Sequence, residues 1–574
     1  MAGDTETKNG DVFLLQIYTD SPRLYWVSPD NVLKVFLNTV FDYGQSGHTN
    51  AIFFHNLRYD LPILFMRYAD KFALSYSKFI IDKDLKEVTK QRYDKSINDY
   101  RLLSSDTSIT LFTGKQFFAF VKRGKKRIMI LDSFSFLPNS LKRLALKLKL
   151  QHKKKTPPKG LGKRIFKPED KAFIRYALND VIVEYELAQF IIEFHKLFNV
   201  RICVSSPQLF ARIFKHRFIR KGDIIQFPDN PKIIDMAIKS YHGGRNGLFI
   251  PEGWVKGRIL KYDYVSAYPF AMKNIPNFLS GEWVLTNHFI TEYEGVYQIS
   301  GYAEKCPYPV IIKNDNRIEF YNGEAFTDVC ITSYELREAI RLNEVKITAI
   351  KGYIWKPDKA DYNPFADYVD YFFKKKSETP KDNPLYEFFK VGLNSLYGKT
   401  IQAISKDREA DIHLTIINGK VVKKSKEYEA GGLYNPPIAS LITGYVRAML
   451  HRDIHNYQAL DCSTDSFSTF SDKVKIGAGL GDLKLEYELD KMLYVRAKFY
   501  IGFKGRKILC YATHGYQGSP QQFLSQLKNH TSRYKVKRIV QIKEALKQQK
   551  KPLSNETKPL RVLSPLFRRG NQKG

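Results

Sequence analysis

Cysteine is scarce in this chain, and the five present, Cys203, Cys306, Cys330, Cys462 and Cys510, are dispersed and odd in number. That spacing suits neither a zinc site nor a disulfide framework and implies a reducing compartment. Long apolar runs are also missing: none approaches the ~18 residues of a membrane span. No signal peptide opens the sequence, so an intracellular, soluble protein without a membrane partner is expected. Acid is the third shortage. Against 92 lysines and arginines stand 59 aspartates and glutamates, a formal charge of +33. This argues against an enzyme of small metabolites and for a polyanionic partner.

What is present is length and aromatic mass. At 574 residues the chain has room for several domains, and its 36 Tyr and 40 Phe suit a globular body that also stacks on bases. The basic runs Lys153 to Lys155, Lys374 to Lys376 and Lys550-Lys551 serve either as nucleic-acid contacts or as plain solvated surface.

Three segments carry chemistry. In the first, Lys390 precedes Asn394-Ser395-Leu396-Tyr397-Gly398 within an apolar, helix-like run. On one helix, Lys390, Asn394, Tyr397 and Gly398 project together. A cation, an amide, a ring and a gap suit a nucleotide's phosphates, its base and the space for a base pair. The second, Leu260 to Pro269, reads as a strand ending at Asp263 and then a turn closed by Pro269. In the third, Cys462-Ser463-Thr464-Asp465-Ser466-Phe467, an aspartate sits in a tight turn of small polar residues.

In this order the segments resemble motifs A, B and C of family B DNA polymerases: Asp-x-x-Ser-Leu-Tyr-Pro, Lys-x-x-x-Asn-Ser-x-Tyr-Gly and Asp-Thr-Asp-Ser. The resemblance implies that Asp263 and Asp465 hold two divalent cations, Mg2+ or Mn2+, with the backbone carbonyl of Tyr264 as a further ligand. Lys390 would face the triphosphate. Tyr268 would stack on the sugar and leave no room for a 2′-hydroxyl. One departure matters: Ser463 stands where the family has the first motif C carboxylate. Catalysis is still expected, with altered metal preference, because the retained Asp465 matches the main ligand. Asp461 shares a strand face with Ser463 and is a conceivable partial replacement.

A second set lies in the first third: Asp4 and Glu6, then His55-Asn56-Leu57-Arg58-Tyr59-Asp60, then Tyr176 and Asp180 on a helical segment from Pro168 to His195. These resemble the Exo I, II and III motifs of the 3′–5′ exonuclease joined to such polymerases. The resemblance implies two more metals on Asp4, Glu6, Asp60 and Asp180, and a water oriented by Tyr176. His55, Asn56, Tyr59 and Ser133 would hold a frayed primer end, with Phe134 a departure from the family's Ser-Leu. A catalytic lysine is expected among Lys153, Lys154 and Lys155. Only three residues precede Asp4, which leaves either a short strand with a loose first metal site or a reading frame begun too late.

Between the two sets, Tyr241, Gly243 and Gly244 resemble the Tyr-x-Gly-Gly motif that coordinates primer passage between such sites. After motif C, Lys498 and Tyr500 match the family's Lys-x-Tyr, which holds the primer terminus, and are expected on one strand face. Insertions follow motif A and motif B. The second, Asp411 to Val422, is a hairpin pattern around Asn418-Gly419. Insertions in these places resemble the terminal-protein regions of protein-primed polymerases of phages, adenoviruses and linear plasmids, which start on a protein hydroxyl.

The implied fold class is α/β and α+β multidomain: an RNase H-like exonuclease domain (1–200), then a right-hand polymerase. Its parts are palm (201–274 and 434–532), fingers (367–400) and thumb (533–574), with insertions at 275–366 and 401–433. The finger helices are expected near Pro364 to Lys376 and Pro384 to Tyr397, joined by a polar turn whose Lys381, with Lys374 to Lys376, would meet triphosphate or DNA. The thumb is expected to hold a basic helix and a tail with Arg568-Arg569. Implied partners are primer–template and single-stranded DNA, dNTPs and a terminal protein, acting on a monomer. The location would be the cytoplasm of the host of a phage or linear plasmid, or the nucleus or organelle of a eukaryotic host. A nucleic-acid-primed polymerase and a DNA-binding protein with decayed sites are the alternatives.

Overall fold

The computed structural model describes residues 1–8, 11–65, 107–113, 117–314, 319–383, 385–405, 415–417, 420–422, 428–430, 432–514, 516, 518–529, 533–539 and 553–559. Two seven-stranded sheets organise it. The first runs Pro22–Trp26, Asp11–Tyr18, Ala2–Lys8, Thr49–Phe54, Lys126–Asp132, Phe117–Arg123, Thr107–Thr113. Ala2–Lys8 is antiparallel to Asp11–Tyr18 and parallel to Thr49–Phe54, which is itself parallel to Lys126–Asp132; this is the RNase H-like arrangement. The strand carrying Asp4 is seven residues long and continues beyond it, so the short, loose strand is not what forms. Its neighbours supply the support: the Met1 amino group donates to the Ala51 carbonyl at 3.0 Å. The long helix Lys171–Leu197 covers this sheet through Phe173, Tyr176 and Ala177, which pack with Phe13 and Phe166.

The second sheet is antiparallel, in the order Lys507–Thr513, Phe499–Lys504, Leu483–Arg496, Gly253–Tyr264, Ser466–Thr469, Asp461–Ser463, Asn246–Leu248. Behind it runs the helix Pro436–Asn456, begun by an Asn435 side chain that accepts from the Ile438 amide at 3.3 Å. It is buried almost all round, its first half mostly with apolar side chains and its second half with Arg447, His451 and Asp453 among the buried residues. The helices Ala267–Asn274 and Pro231–Ser240 pack on it, as does an inserted unit made of a four-stranded sheet (Gly281–Thr286, Val345–Pro357, Glu294–Ala303, Glu324–Thr332) and the helix Ser333–Arg341.

Two antiparallel helices, Pro364–Glu378 and Leu385–Ser395, form the finger element, tied by a Tyr368 hydroxyl donating to the Gly392 carbonyl at 2.7 Å. They also touch the first domain: Phe388 stacks on Phe194 with ring centroids 4.1 Å apart, and Lys149 pairs with Asp382 at 2.8 Å. In the second insertion Thr415–Ile417 pairs with Lys420–Val422, Ile417 opposite Lys420; Asp411 to Leu414, Asn418 and Gly419 lie outside the described residues.

The C-terminal part bears on the expected basic helix only at its start. Arg533–Ile539 is a strand paired antiparallel with Leu553–Pro559. Its alternation of basic residues with Tyr534 and Val536 has the period of a strand. Residues 540–552 and the Arg568-Arg569 tail lie outside the described residues. Among the described residues no helix is long and apolar enough to cross a membrane, and the cysteines are free.

Candidate active sites

At the open end of the second sheet, the strand Gly253–Tyr264 delivers Asp263 and the adjacent hairpin delivers Asp465. Ser466 pairs with Asp263, and the Tyr264 amide donates to the Asp465 carbonyl at 2.9 Å, so the two carboxylates come from neighbouring backbone. The hairpin has a two-residue loop, Thr464-Asp465, since Ser463 pairs with Ser466. Such a loop needs positive φ, and Thr464 adopts +64°. For a β-branched residue that conformation is strained and must be held from outside. The hold is an amide hydrogen bond from Thr464 to the Arg245 carbonyl, 2.7 Å.

Burial, and then the Asp263 charge, push the Asp465 carboxyl up to about 6. Two like charges at this distance call for a cation, and Lys484 provides one, its amine 2.7 Å from Asp263. Carboxylates short of positive charge at a half-exposed position are a donor set that fits divalent ions. Tyr264 turns its ring inward, where its hydroxyl donates to Asp453, so only its main chain is free to serve the site. Asp461 is buried, accepts from the Tyr494 hydroxyl at 3.0 Å and faces the buried Lys261, so it is already engaged below the site.

Tyr268 and Tyr397 stack with centroids 4.4 Å apart at an angle of 14°. Tyr397 and Gly398 do not continue the helix of Lys390 and Asn394, as the spacing suggested. The helix ends at Ser395, and Tyr397–Lys399 form a tighter 3-10 turn that lays Tyr397 on Tyr268. Around this pocket the lysines gather. Lys376 has its amine held below the usual lysine range by burial and then by Lys390, Lys484 and Lys381, and it lies 3.5 Å from the Ser266 hydroxyl. The loop with Tyr241 and Gly243 closes the other side. A Cβ on Gly244 would lie 2.6 Å from Thr464 Cγ2 and 2.9 Å from the Tyr268 hydroxyl, so only glycine fits.

Lys498 and Tyr500 do not share a strand face. Lys498 occupies the turn before Phe499–Lys504 with φ +57°, while Tyr500 lies inside, its ring centroid 4.9 Å from the Lys261 amine.

In the first domain Asp4 and Glu6 alternate onto one face of their strand and meet Asp180 from the long helix, with carboxylate oxygens within 4.8 Å of one another. Burial, then mutual repulsion, raises the carboxyls of Asp4 and Glu6. Of the three candidate lysines it is Lys154 that reaches Asp180, at 2.5 Å, and it also lies 5.5 Å from the Tyr176 ring centroid. Asp60 stands outside that trio: its carboxylate accepts from the Thr5 hydroxyl at 2.7 Å, and burial and then Asp4 raise it.

A cavity of about 500 Å3 opens on the site, lined by Asp4, His55, Asn56, Phe134, Lys154, Asp180 and Glu184 among others. His55 Nδ1 lies 3.0 Å from the Ser133 hydroxyl, while the Tyr59 and Thr7 hydroxyls are 2.6 Å apart. Two carboxylates here were not anticipated. Asp132 accepts the amides of Asn56 and Phe134 at 2.9 and 3.0 Å and so shapes the loops. Glu184 is 2% exposed, with His55 Nδ1 3.9 Å away. It follows Asp180 by one helical turn, and that i, i+4 relation was the available signal. Buried acids outnumber the single lysine beside them, and an Asp180 oxygen has no hydrogen-bond partner. The set fits divalent cations.

An RNase H-like domain is joined to an antiparallel palm with neighbouring carboxylates and two finger helices, the overall fold of template-directed nucleic-acid polymerases. Residues 167–435 match the family model described as DNA polymerase type B, organellar and viral. The DNA-directed DNA polymerase of Enterobacteria phage PRD1 is 26% identical over 408 residues, covering 67% of this chain and 68% of that protein. A probable DNA polymerase of Neurospora intermedia is 23% identical over 417 residues, 63% of this chain but 41% of the relative's length. In fold, phi29 DNA polymerase in complex with primer-template DNA and incoming nucleotide superimposes with a TM-score of 0.70 at 17% identity, covering 98% of both chains. Its complex with single-stranded DNA gives 0.63, also at 17% identity, covering 93% of this chain and 95% of that one. Over residues 167–435 the chain is thus similar to type B DNA polymerases, and over nearly its whole length it shares the fold of phi29 DNA polymerase.

Proposed function

We propose that the chain copies DNA from dNTPs at the Asp263–Asp465 site, begins synthesis on the hydroxyl of a terminal protein, and removes misincorporated nucleotides at the Asp4–Glu6–Asp180 site. The observation that carries the reading is the pair of separate acidic centres, one beside a tyrosine pair and the other in a cavity lined by His55 and Asn56. Two divalent cations per centre, Mg2+ or Mn2+, would activate the primer hydroxyl or a water and neutralise the leaving group. At the polymerase site Asp263, Asp465 and the Tyr264 main chain would hold them. Lys390 and Lys376 neutralise the triphosphate, Tyr268 bars a 2′-hydroxyl, Asn394, Tyr397 and Gly398 border the base, and Tyr241, Gly243 and Gly244 border the primer. Lys498 and Tyr500 steady the primer strand from different depths, one at the turn and one beneath it.

At the second site Asp4, Glu6, Asp180 and Asp60 would hold the ions, Tyr176 and Lys154 orient the water, and His55, Asn56, Tyr59 and Ser133 bind the single strand. The first insertion meets the terminal protein, and the second keeps the enzyme on its template during strand displacement. The enzyme works in the cell that carries its replicon.

Extension and shortening of one labelled primer–template in Mg2+ test the assignment of the sites. Extension lost only in Asp263→Ala, with shortening lost only in Asp4→Ala, is expected. Loss of both activities in either variant would refute two centres. Protein priming is tested with the cognate terminal protein and template; absence of a nucleotide linked to its Ser, Thr or Tyr would refute it.

A further inference from the structure

The inserted unit reaches the catalytic turn through two buried polar links, both of which pass through the helix Pro436–Asn456. In the first, Glu335 and Arg447, 2% and 3% exposed, pair at 2.6 and 2.8 Å. The remaining Arg447 N–H groups donate to the carbonyls of Ser240, His242 and Gly243, so all five guanidinium donors are used on Glu335 and the loop. In the second, His451 joins Glu344, at 3.0 Å from Nε2, to Arg245, at 2.7 Å from Nδ1. Arg245 also donates to the Pro309 carbonyl at 2.8 Å, and its own carbonyl accepts the Thr464 amide.

The trio Glu344, His451 and His455 has the spacing of a metal site, yet the hydrogen bonds assign it differently. Arginine cannot accept, so His451 Nδ1 must, which puts the proton on Nε2, where it donates to Glu344. Burial holds this ring neutral by lowering its pKa to about 4. Both nitrogens are committed, and no lone pair is left for a cation.

Packing alone does not join the insertion to the loop. A cavity of about 190 Å3, lined by Val310, Ile312 and Phe320 on one side and His242, Gly243 and Arg245 on the other, lies between them, and Arg447 and Glu335 border it. The unit is seated on the helix elsewhere: a Cβ on Gly444 would lie 2.2 Å from Thr332 Oγ1, and that hydroxyl donates to Glu335 at 2.8 Å. Beyond the loop, Gly244 presses on Thr464 and Tyr268.

We infer that Glu335, Arg447, Glu344 and His451 are positioning residues, through which the first insertion holds the loop Ser240–Arg245 and the strained Thr464-Asp465 turn in their working geometry. The inference rests on Asp465 carrying catalysis, so Asp465→Ala is measured alongside.

Glu335→Gln, Glu344→Gln and the milder Arg447→Lys, which keeps the charge but not the fork, are compared with wild type in primer extension and in backbone hydrogen exchange. The expected result is a kcat lowered ~10- to 100-fold with KM for dNTP and DNA affinity within about two-fold. Faster exchange is expected confined to peptides spanning 240–246 and 461–469. Wild-type kinetics and exchange in Arg447→Lys, or acceleration spread through the whole palm, would overturn the inference. An active Asp465→Ala would remove its premise instead.

Discussion

The two acidic centres solve the same electrostatic problem in opposite ways. At the palm, Asp263 and Asp465 are partly exposed and face Lys484 and Lys261, with Lys376 and Lys390 gathered beside Lys484, so the protein supplies much of the positive charge. In the first domain Asp4, Glu6, Asp60, Asp132, Asp180 and Glu184 crowd together with Lys154 as the cation beside them, and burial raises several of these acids. A site that must receive a triphosphate has lysines in place before the ligand arrives. The proposed cleaving site leaves its charge to be balanced by ions. The first should tolerate chelation structurally; the second should not.

The sharpest break is functional. Asp465→Ala should lower extension by roughly 10²- to 10³-fold or more and leave shortening of single strands intact, while Asp4→Ala does the reverse; rates on one labelled substrate decide it. Next comes stability without metal. The first-domain acids have pKa values raised on folding, so the stability they contribute is present below their ordinary values of 3.8 for Asp and 4.5 for Glu and is lost as pH rises through the folded values. In chelator the melting temperature should fall from mildly acidic to neutral pH. Mg2+ should restore it, and Glu6→Gln should raise it by several degrees, at roughly 2–4 °C per kcal/mol; calorimetry with and without chelator reads all three. Asp465→Asn should change it far less.

A smaller effect is expected at the sugar. Tyr268→Val removes the ring stacked on Tyr397 and should improve ribonucleotide incorporation about ten-fold relative to deoxynucleotide, measured by competition in extension. Smallest is the motif C departure. Ser463→Asp should shift the Mn2+ to Mg2+ activity ratio by a few-fold, and an unchanged ratio would mean that a carboxylate at this position does not bear on the bound ions.

Ordered motifs made much of this legible. Asp263 at a strand end, Asp465 in a turn and Asp4 with Glu6 on alternate positions follow from strand period and turn chemistry. What escaped was decided by contacts between distant segments. Lys498 fits a strand pattern, yet the hairpin turn claims it with positive φ. Tyr397 fits a helix pattern, yet Tyr268 draws it into a tighter turn. Lys484 pairs across the sheet with Asp263, a register that no local pattern contains. The basic segment after Arg533 alternates as a strand does, and its charge disguised the period. Glu184 alone was within reach, one turn beyond Asp180 on the same helix.

The largest apolar core is continuous from Phe53 and Leu131 in the first sheet, through Leu187 and Phe194 of the long helix, to Phe388 in the fingers and Phe467 in the palm. Among the described residues no seam divides the first domain from the fingers and palm. Severing the first domain would strip Phe388 of its stacking partner and open that core to water, so neither half is an independent module. Heat should therefore silence both proposed activities in a single transition, because the first domain and the finger helices share one core.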